Sequence, residues 1–281
     1  MEIEFNDVSL VVNSKTYAEK LLLKNVSFKL ESGKKYCFLG NSNSGKSVIG
    51  DLINGIVKPS RGSVKIGEFV NDGRNIKNVN SLRFDVGVVY KNKDEMFFNK
   101  KVKSELEFAM KFFKYKTNKR VIRTIEALKI VGLSEEYLNK NINDLTLSEA
   151  KKIGLASVLV YNPKIIIMDE PSLHLNFREK KELIRILNFI NEKYGKTIIV
   201  MSRDVDFIYE FNSNILVLNN GELVMQGNND IFYDENMLSK YNISSPLIVT
   251  FSNMVRDKYN KNFKYYKSVL DLVKGVCNDV L

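Results

Sequence analysis

The chain has 281 residues, 44% of them hydrophobic and 27% charged, which is ample for one large or two modest soluble domains with a buried core. No window approaches the roughly 18 consecutive apolar residues of a membrane span. The net charge of +10, from 43 Lys and Arg against 33 Asp and Glu, is spread along the chain rather than gathered in one arm, so it speaks for solvated helix faces and only weakly for anionic surroundings.

The opening stretch, Met1-Glu2-Ile3-Glu4-Phe5, has neither the basic n-region nor the apolar h-region of a signal peptide. Cys37 and Cys277 lie far apart in sequence and suggest no disulfide framework, so a reducing compartment fits. Residues 2–12 predict a strand, with Ile3, Phe5, Val8, Leu10 and Val12 apolar in a polar frame. A loop with Asn13, Ser14 and Lys15 follows. Residues 21–30 alternate loosely and end in a turn at Glu31-Ser32-Gly33.

Next comes the apolar strand Tyr36-Cys37-Phe38-Leu39, which runs into Gly40-Asn41-Ser42-Asn43-Ser44-Gly45-Lys46-Ser47. Val48 then opens a stretch of helical character that reaches Ile56. This G-x-x-x-x-G-K-S pattern between strand and helix is a phosphate-binding loop. Glycines let the backbone curl so that successive N–H groups point at phosphate oxygens. The following helix turns its positive end to the same anion. Lys46 reaches the β- and γ-phosphates in such a loop, and the Ser47 hydroxyl ligates Mg²⁺. A nucleoside triphosphate with Mg²⁺ is therefore the expected ligand.

Pro59-Ser60-Arg61-Gly62 predicts a turn into a short strand at 63–66, and 71–80 reads as polar loop. Residues 86–90 form a compact apolar strand. Beyond it, Met96-Phe97-Phe98 make an apolar knot, and the period becomes helical over about 103–131, with further helix up to Pro163. Residues 91–163 thus read as an α-helical insertion in an α/β domain whose core is 1–90 and 164–228. Ile165-Ile166-Ile167-Met168 is a buried strand that delivers Asp169 and Glu170 to its carboxyl end, where open α/β sheets bind ligands. Asp169 suits Mg²⁺ through its water shell, and Glu170 suits accepting a proton from an attacking water, or orienting it. Residues 177–194 predict an amphipathic helix, and Thr197-Ile198-Ile199-Val200-Met201 a buried strand ending at Ser202-Arg203-Asp204. Strands at 215–218 and 222–225 flank Asn219-Asn220-Gly221 as a hairpin. Residues 229–281 are helical and aromatic-rich, with Tyr259, Phe263, Tyr265 and Tyr266 among lysines, and read as a C-terminal appendage.

This order of motifs over about residues 1–228 resembles the nucleotide-binding subunit of ABC transporters. Within the tail, Asp230-Ile231-Phe232-Tyr233 and Tyr241-Asn242-Ile243-Ser244-Ser245-Pro246 resemble the ATPase subunits of energy-coupling-factor importers of vitamins and metals. The resemblance implies a P-loop ATPase core with a RecA-like mixed sheet and an antiparallel β part. It also implies a peripheral position on the cytoplasmic face of the membrane. The implied partners are a second ATPase chain, a transmembrane coupling subunit and a substrate-binding membrane subunit. Nucleic acid is not an expected partner, because soluble relatives of that kind carry two cassettes and this chain has a single phosphate loop and no internal repeat. Met96, Phe97 and Phe98 lie where the family docks a coupling helix; core of the helical block is the alternative.

Several family positions depart. The glutamine after strand 86–90 is Lys91. The signature L-S-G-G-Q stands as Leu145-Thr146-Leu147-Ser148-Glu149. The D-loop aspartate aligns with Asn176, with the chain's single histidine, His174, beside it. The switch histidine is Arg203. The adenine-stacking aromatic falls near Val12, with Tyr17 as a substitute. Lys91 has no acceptor for Mg²⁺ or water, and an ammonium about 4 Å from the metal is repelled by about 4 kcal/mol per unit charge at an effective dielectric of about 20. Arg203 can hold a γ-phosphate but cannot share a proton as neutral imidazole does. Leu147 and Ser148 add side chains where glycines allow close approach, and Glu149 brings a negative charge toward an anion. The expectation is secure ATP binding with slow hydrolysis, in an asymmetric pair with a more regular ATPase chain. The alternative is a subunit that binds ATP, hydrolyses it poorly and serves structure or regulation.

Overall fold

The computed structural model describes residues 1–12, 17, 19–258 and 263–280, the last five of these by backbone alone. Expectations for Asn13, Ser14, Lys15, Tyr259 and the Cys277 side chain fall outside the described residues. The amino-terminal part pairs β1 (Ile3–Val12) with β2 (Lys20–Leu30) and leads to β3 (Lys35–Leu39). Helix α1 (Lys46–Ile53) follows the phosphate loop, then come β4 (Arg61–Ile66), β5 (Phe69–Asn71), α2 (Val79–Asp85) and β6 (Val86–Val89). The helical stretch holds α3 (Lys93–Met96), α4 (Val102–Phe112), α5 (Thr117–Ile130) and α6 (Leu147–Leu159). The chain returns through β7 (Ile165–Asp169), α7 (Phe177–Tyr194), β8 (Thr197–Ser202), α8 (Val205–Phe211) and the hairpin β9 (Asn214–Asn219) and β10 (Glu222–Gly227). Helices α9 (Glu235–Ser239), α10 (Leu247–Lys258) and α11 (Val269–Val280) complete it.

Two sheets result. One is antiparallel, in the order β2-β1-β4-β5; the other has the order β10-β9-β3-β8-β7-β6 and is parallel except for the β9–β10 hairpin. The period-2 rule explains how one sheet serves two cores. Tyr36 and Phe38, Ile165 and Ile167, Ile199 and Met201, and Leu216 and Leu218 face the cluster shared with α1 and the antiparallel sheet. Their neighbours Cys37 and Leu39, Ile166 and Met168, Ile198 and Val200, and Ile215 and Val217 face the cluster under α6, α7 and α8. Strands covered on both faces become continuous apolar runs, as the sequence shows at residues 165–168 and 197–201. Cys37 is such a buried residue, and its burial pushes the thiol up to about 12, which makes it inert.

The structure differs from the sequence reading at three places. The segment expected as polar loop, 71–80, is irregular over 72–78, but its first residue closes β5, which pairs back on β4 across a turn at Gly67 (φ 56°). Asn71 there is fully buried, its amide donating to the carbonyls of Leu52 (3.0 Å) and Val57 (2.8 Å); a polar residue is inside because its donors are used. Beyond it lies α2, which packs Leu82 into the core. The long helical period over 103–131 is two helices, broken where Lys114 takes a left-handed backbone (φ 58°). The stretch after Gly227 does not hang free: Phe232, Leu238, Ile243, Ile248 and Val249 are buried in the same cluster as α7 and β8.

Candidate functional site

The phosphate loop lies at the carboxyl end of β3, held between two neighbours. A Cβ on Gly40 would sit 2.3 Å from the Leu218 carbonyl oxygen, so only glycine fits against β9. Gly45 takes φ 99° and faces the Leu22 carbonyl and the Leu23 side chain of β2. The hairpin turn supports the same loop, since the Gly221 N–H donates to the Ser44 carbonyl at 3.1 Å. Asn41 is held from the far end of the chain: its amide donates to the carbonyls of Tyr241 and Asn242, both at 3.2 Å. Ser42 and Asn43 are exposed at the tip, and Val48 packs its side chain against the core.

Lys46 is 6% exposed, and its ammonium donates to the carbonyls of Gly40 (2.5 Å) and Asn41 (2.9 Å). The Glu170 carboxylate is 3.9 Å away. Burial holds the Lys46 amine below its ordinary range; Glu170 and Asp169 oppose that shift, and Arg203 and Lys91 add to it. The Ser47 hydroxyl donates to Asp169 Oδ2 at 2.9 Å, joining the two motifs. Asp169 Oδ1 is buried with no hydrogen-bond partner. An orphaned carboxylate oxygen beside a serine hydroxyl fits a hydrated hard cation such as Mg²⁺. Among the described residues no group of three His, Cys, Asp or Glu could hold a metal alone, so a cation here would be shared with bound phosphate.

Glu170 sits at a strained backbone position, φ 43°, immediately after β7. Four contacts hold it there. Its N–H donates to the Met201 carbonyl (2.8 Å), its carbonyl accepts from the Lys151 ammonium (2.8 Å), and its Oε2 accepts from the Ser202 hydroxyl (3.2 Å) and the Arg203 N–H (3.3 Å). The Arg203 side chain itself is exposed. Lys91, also exposed, lines a cavity of about 180 Å³ together with Ser47, Asp51, Glu95 and Asp169. Burial, then the Asp169 and Glu95 charges, push Asp51 up to about 6.

Sequence reading missed Lys151 and Asp51. Asp51 follows Ser47 by one helical turn, and that i,i+4 spacing was a usable signal. Lys151 gave none, because it reaches Glu170 from α6. Burial lowers its ammonium to about 8, with Glu170 and Asp169 opposing.

At the signature position the structure changes the expected role of Glu149. Thr146 is the N-cap of α6, accepting from the Glu149 N–H (3.2 Å), while Glu149 Oε2 accepts from the Thr146 N–H (2.8 Å). The other carboxylate oxygen accepts from the Tyr137 hydroxyl and the Lys140 ammonium. The negative charge is thus turned back on its own helix as a capping box and occupies N–H groups that would otherwise be open. The Tyr137 hydrogen bond first, and then the Thr146 and Lys140 contacts, hold its carboxyl down to about 2 despite partial burial. Glu149→Ala is expected to lower stability by about 1 kcal/mol. Because the folded pKa is depressed, this contribution is full above the ordinary glutamate range and fades as pH falls through about 2. Thermal melts of both proteins at neutral and acid pH measure it. Leu147 is half-exposed on the first turn, Asn176 caps α7 through the Glu179 N–H (3.0 Å), and His174 and Tyr17 are exposed.

A loop that cradles phosphate, bonded through a serine to a carboxylate at the end of a parallel strand, defines a P-loop nucleoside triphosphatase. Comparisons specify it further. The ABC transporter family profile matches residues 23–173. The chain is 31% identical to "Energy-coupling factor transporter ATP-binding protein EcfA2" of Staphylococcus epidermidis, over 94% of this chain and 93% of that one. It is also 31% identical to EcfA3 of Oenococcus oeni, over 91% and 89%. The solved cbiO1 of Clostridium perfringens, part of the ABC transporter complex cbiONQ, superposes with a TM-score of 0.74 at 26% identity, over 89% of this chain and 98% of that one. The chain belongs to the ABC transporter family, in its energy-coupling factor branch of ATP-binding proteins, and is an ABC-type ATPase of that fold.

Proposed function

We propose that this chain energises an energy-coupling-factor importer from the cytoplasmic face of the membrane, paired with a second, more regular ATPase chain and docked on a transmembrane coupling subunit with a substrate-binding membrane subunit. The observation that carries this reading is the joined set Lys46, Ser47, Asp169 and Glu170, with Lys91 and Arg203 standing around it. The loop N–H groups from Gly40 to Val48 and the Lys46 ammonium bind the phosphates. Ser47 and Asp169 would hold Mg²⁺, which when bound would neutralise charge on the phosphates. Glu170 orients the attacking water and accepts its proton. Lys91 offers that water no acceptor, and Arg203 contributes charge without proton exchange, so turnover at this chain's own site is slow. In the partner's site, α6 presents an N-terminus already used by its own capping box, so its pull on the γ-phosphate is weak. The two sites of the sandwich are therefore unequal.

A surface for the membrane subunit accompanies the site. No helix among the described residues is long and apolar enough to cross a membrane, so transport requires other chains. A cavity of about 510 Å³ opens beside β6 and α4, lined by Ile56, Tyr90, Met96, Phe98, Phe108 and Phe112. Phe98 is 78% exposed and stacks on Phe108 at 5.6 Å, whereas Phe97 packs against the core. An apolar face of this kind suits the end of a membrane subunit's helix. Affinity purification of the full chain from detergent-solubilised membranes is the test. Recovery of a second ATPase chain and integral membrane subunits is expected; recovery solely as a soluble homodimer would overturn the reading.

A further inference from the structure

A second concave site lies at the opposite end of the parallel sheet from the nucleotide. It is a cavity of about 670 Å³ between α5, the end of α6, α7 and the residues that enter β8. That is within the roughly 300–1,000 Å³ of small-molecule sites. Its walls come from two helix faces at helical spacing: Arg123, Glu126, Ala127 and Ile130 on α5, and Arg185, Phe189 and Lys193 on α7. Lys196 reaches in from the strand entrance and is only 9% exposed.

The charges are unbalanced. Arg123, Arg185, Lys193 and Lys196 line the cavity, and among the described residues none of the four has a carboxylate within ion-pair distance. Lys129, a fifth lining cation, is paired outward with Glu135. Glu126 is the single acidic residue in the lining. Burial, and then the Arg123 charge, hold the Lys196 amine below its ordinary range; Asp85 opposes this, and Lys164 adds the smallest push. Lys196 is buried, Arg123 half-buried, and Arg185 and Lys193 are exposed at the mouth, so cations of one sign line the cleft from floor to rim and focus a positive field in it. The rest of the lining is mainly apolar, with Ala127, Ile130, Leu159 and Ile186 beside two aromatic rings: Phe189 and Tyr194 meet edge to face at 5.8 Å, and the Lys193 ammonium rests over both, at 5.1 and 5.7 Å from their centroids.

The geometry points to a binding site for a small aromatic or heterocyclic ligand that carries a phosphate or carboxylate group. The two arginines supply planar forks for the anion, Lys196 supplies a desolvated point charge, and Phe189 with Tyr194 supplies a stacking wall. The sequence scatters these cations between Arg123 and Lys196; the fold gathers them. Because the cavity joins the α5–α6 block to α7 and β8, an occupant would brace the helical block against the strand whose other end carries Ser202 and, beyond it, Arg203.

Isothermal titration of the full chain saturated with Mg-ADP tests this, with phenyl phosphate, inorganic phosphate, phenol and an acidic glutamate peptide as probes. Phenyl phosphate is expected to bind one saturable site at least about tenfold more tightly than inorganic phosphate or phenol. R123Q/R185Q is expected to weaken it at least about tenfold, with R123K/R185K retaining most of the affinity. Should the glutamine pair not fold, the exposed Lys193→Gln carries the same expectation at about threefold. Absence of saturable binding, an affinity unchanged in the variants, or binding of the acidic peptide in place of phenyl phosphate would each overturn the proposal.

Discussion

Glu170→Gln is expected to leave ATP affinity within about twofold and to lower turnover at least about 100-fold, the usual cost of losing a positioned proton acceptor. The separation of binding from turnover follows from the local geometry. An amide oxygen can still accept from the Ser202 hydroxyl and the Arg203 N–H, so the strained turn after β7 keeps its supports. What the amide cannot do is take a proton from water. Phosphate release and nucleotide affinity, measured on the same preparation, separate the two effects. Equal turnover in the variant would remove Glu170 from the chemistry.

Lys46→Ala is expected to act on binding instead, weakening ATP by about 30-fold or more, since truncating one partner of a buried charged contact costs about 2 kcal/mol or more. The ammonium donates to the Gly40 and Asn41 carbonyls and to Ser44 Oγ, inside the loop itself. Phosphate oxygens would replace those acceptors and relieve an amine that burial holds below its ordinary range. Fluorescent-nucleotide titration measures the change; an unaltered affinity would mean that the loop binds through backbone N–H groups alone.

The parts of this site that could be read from sequence are those in which chemistry and spacing are contiguous. Gly40 to Ser47 lies between a strand and a helix, and Asp169-Glu170 ends an apolar run, so both motifs carry their own structural context. Likewise, the runs at 165–168 and 197–201 announce strands buried on both faces. Legibility failed where a function is assembled from distant segments. Lys151 supports Glu170 from the helix after the signature, and Tyr241 and Asn242 hold Asn41 from the tail. Glu149 was misread for a different reason. Its charge was counted, but its N3 position after Thr146 makes it a cap, and the short-range hydrogen bonds win over the long-range field. The basic cavity was invisible because Arg123, Arg185, Lys193 and Lys196 look like four solvated cations until α5, α7 and the entry to β8 set them side by side.

The proposed pairing makes the two sites unequal, and ATP turnover per Walker site tests that proposal directly. The purified chain alone, at concentrations where it self-associates, should hydrolyse slowly, and addition of the second ATPase chain should raise the rate at least about tenfold, equivalent to about 1.4 kcal/mol of barrier. Brisk turnover by the lone chain as a homodimer, with no gain on pairing, would contradict it.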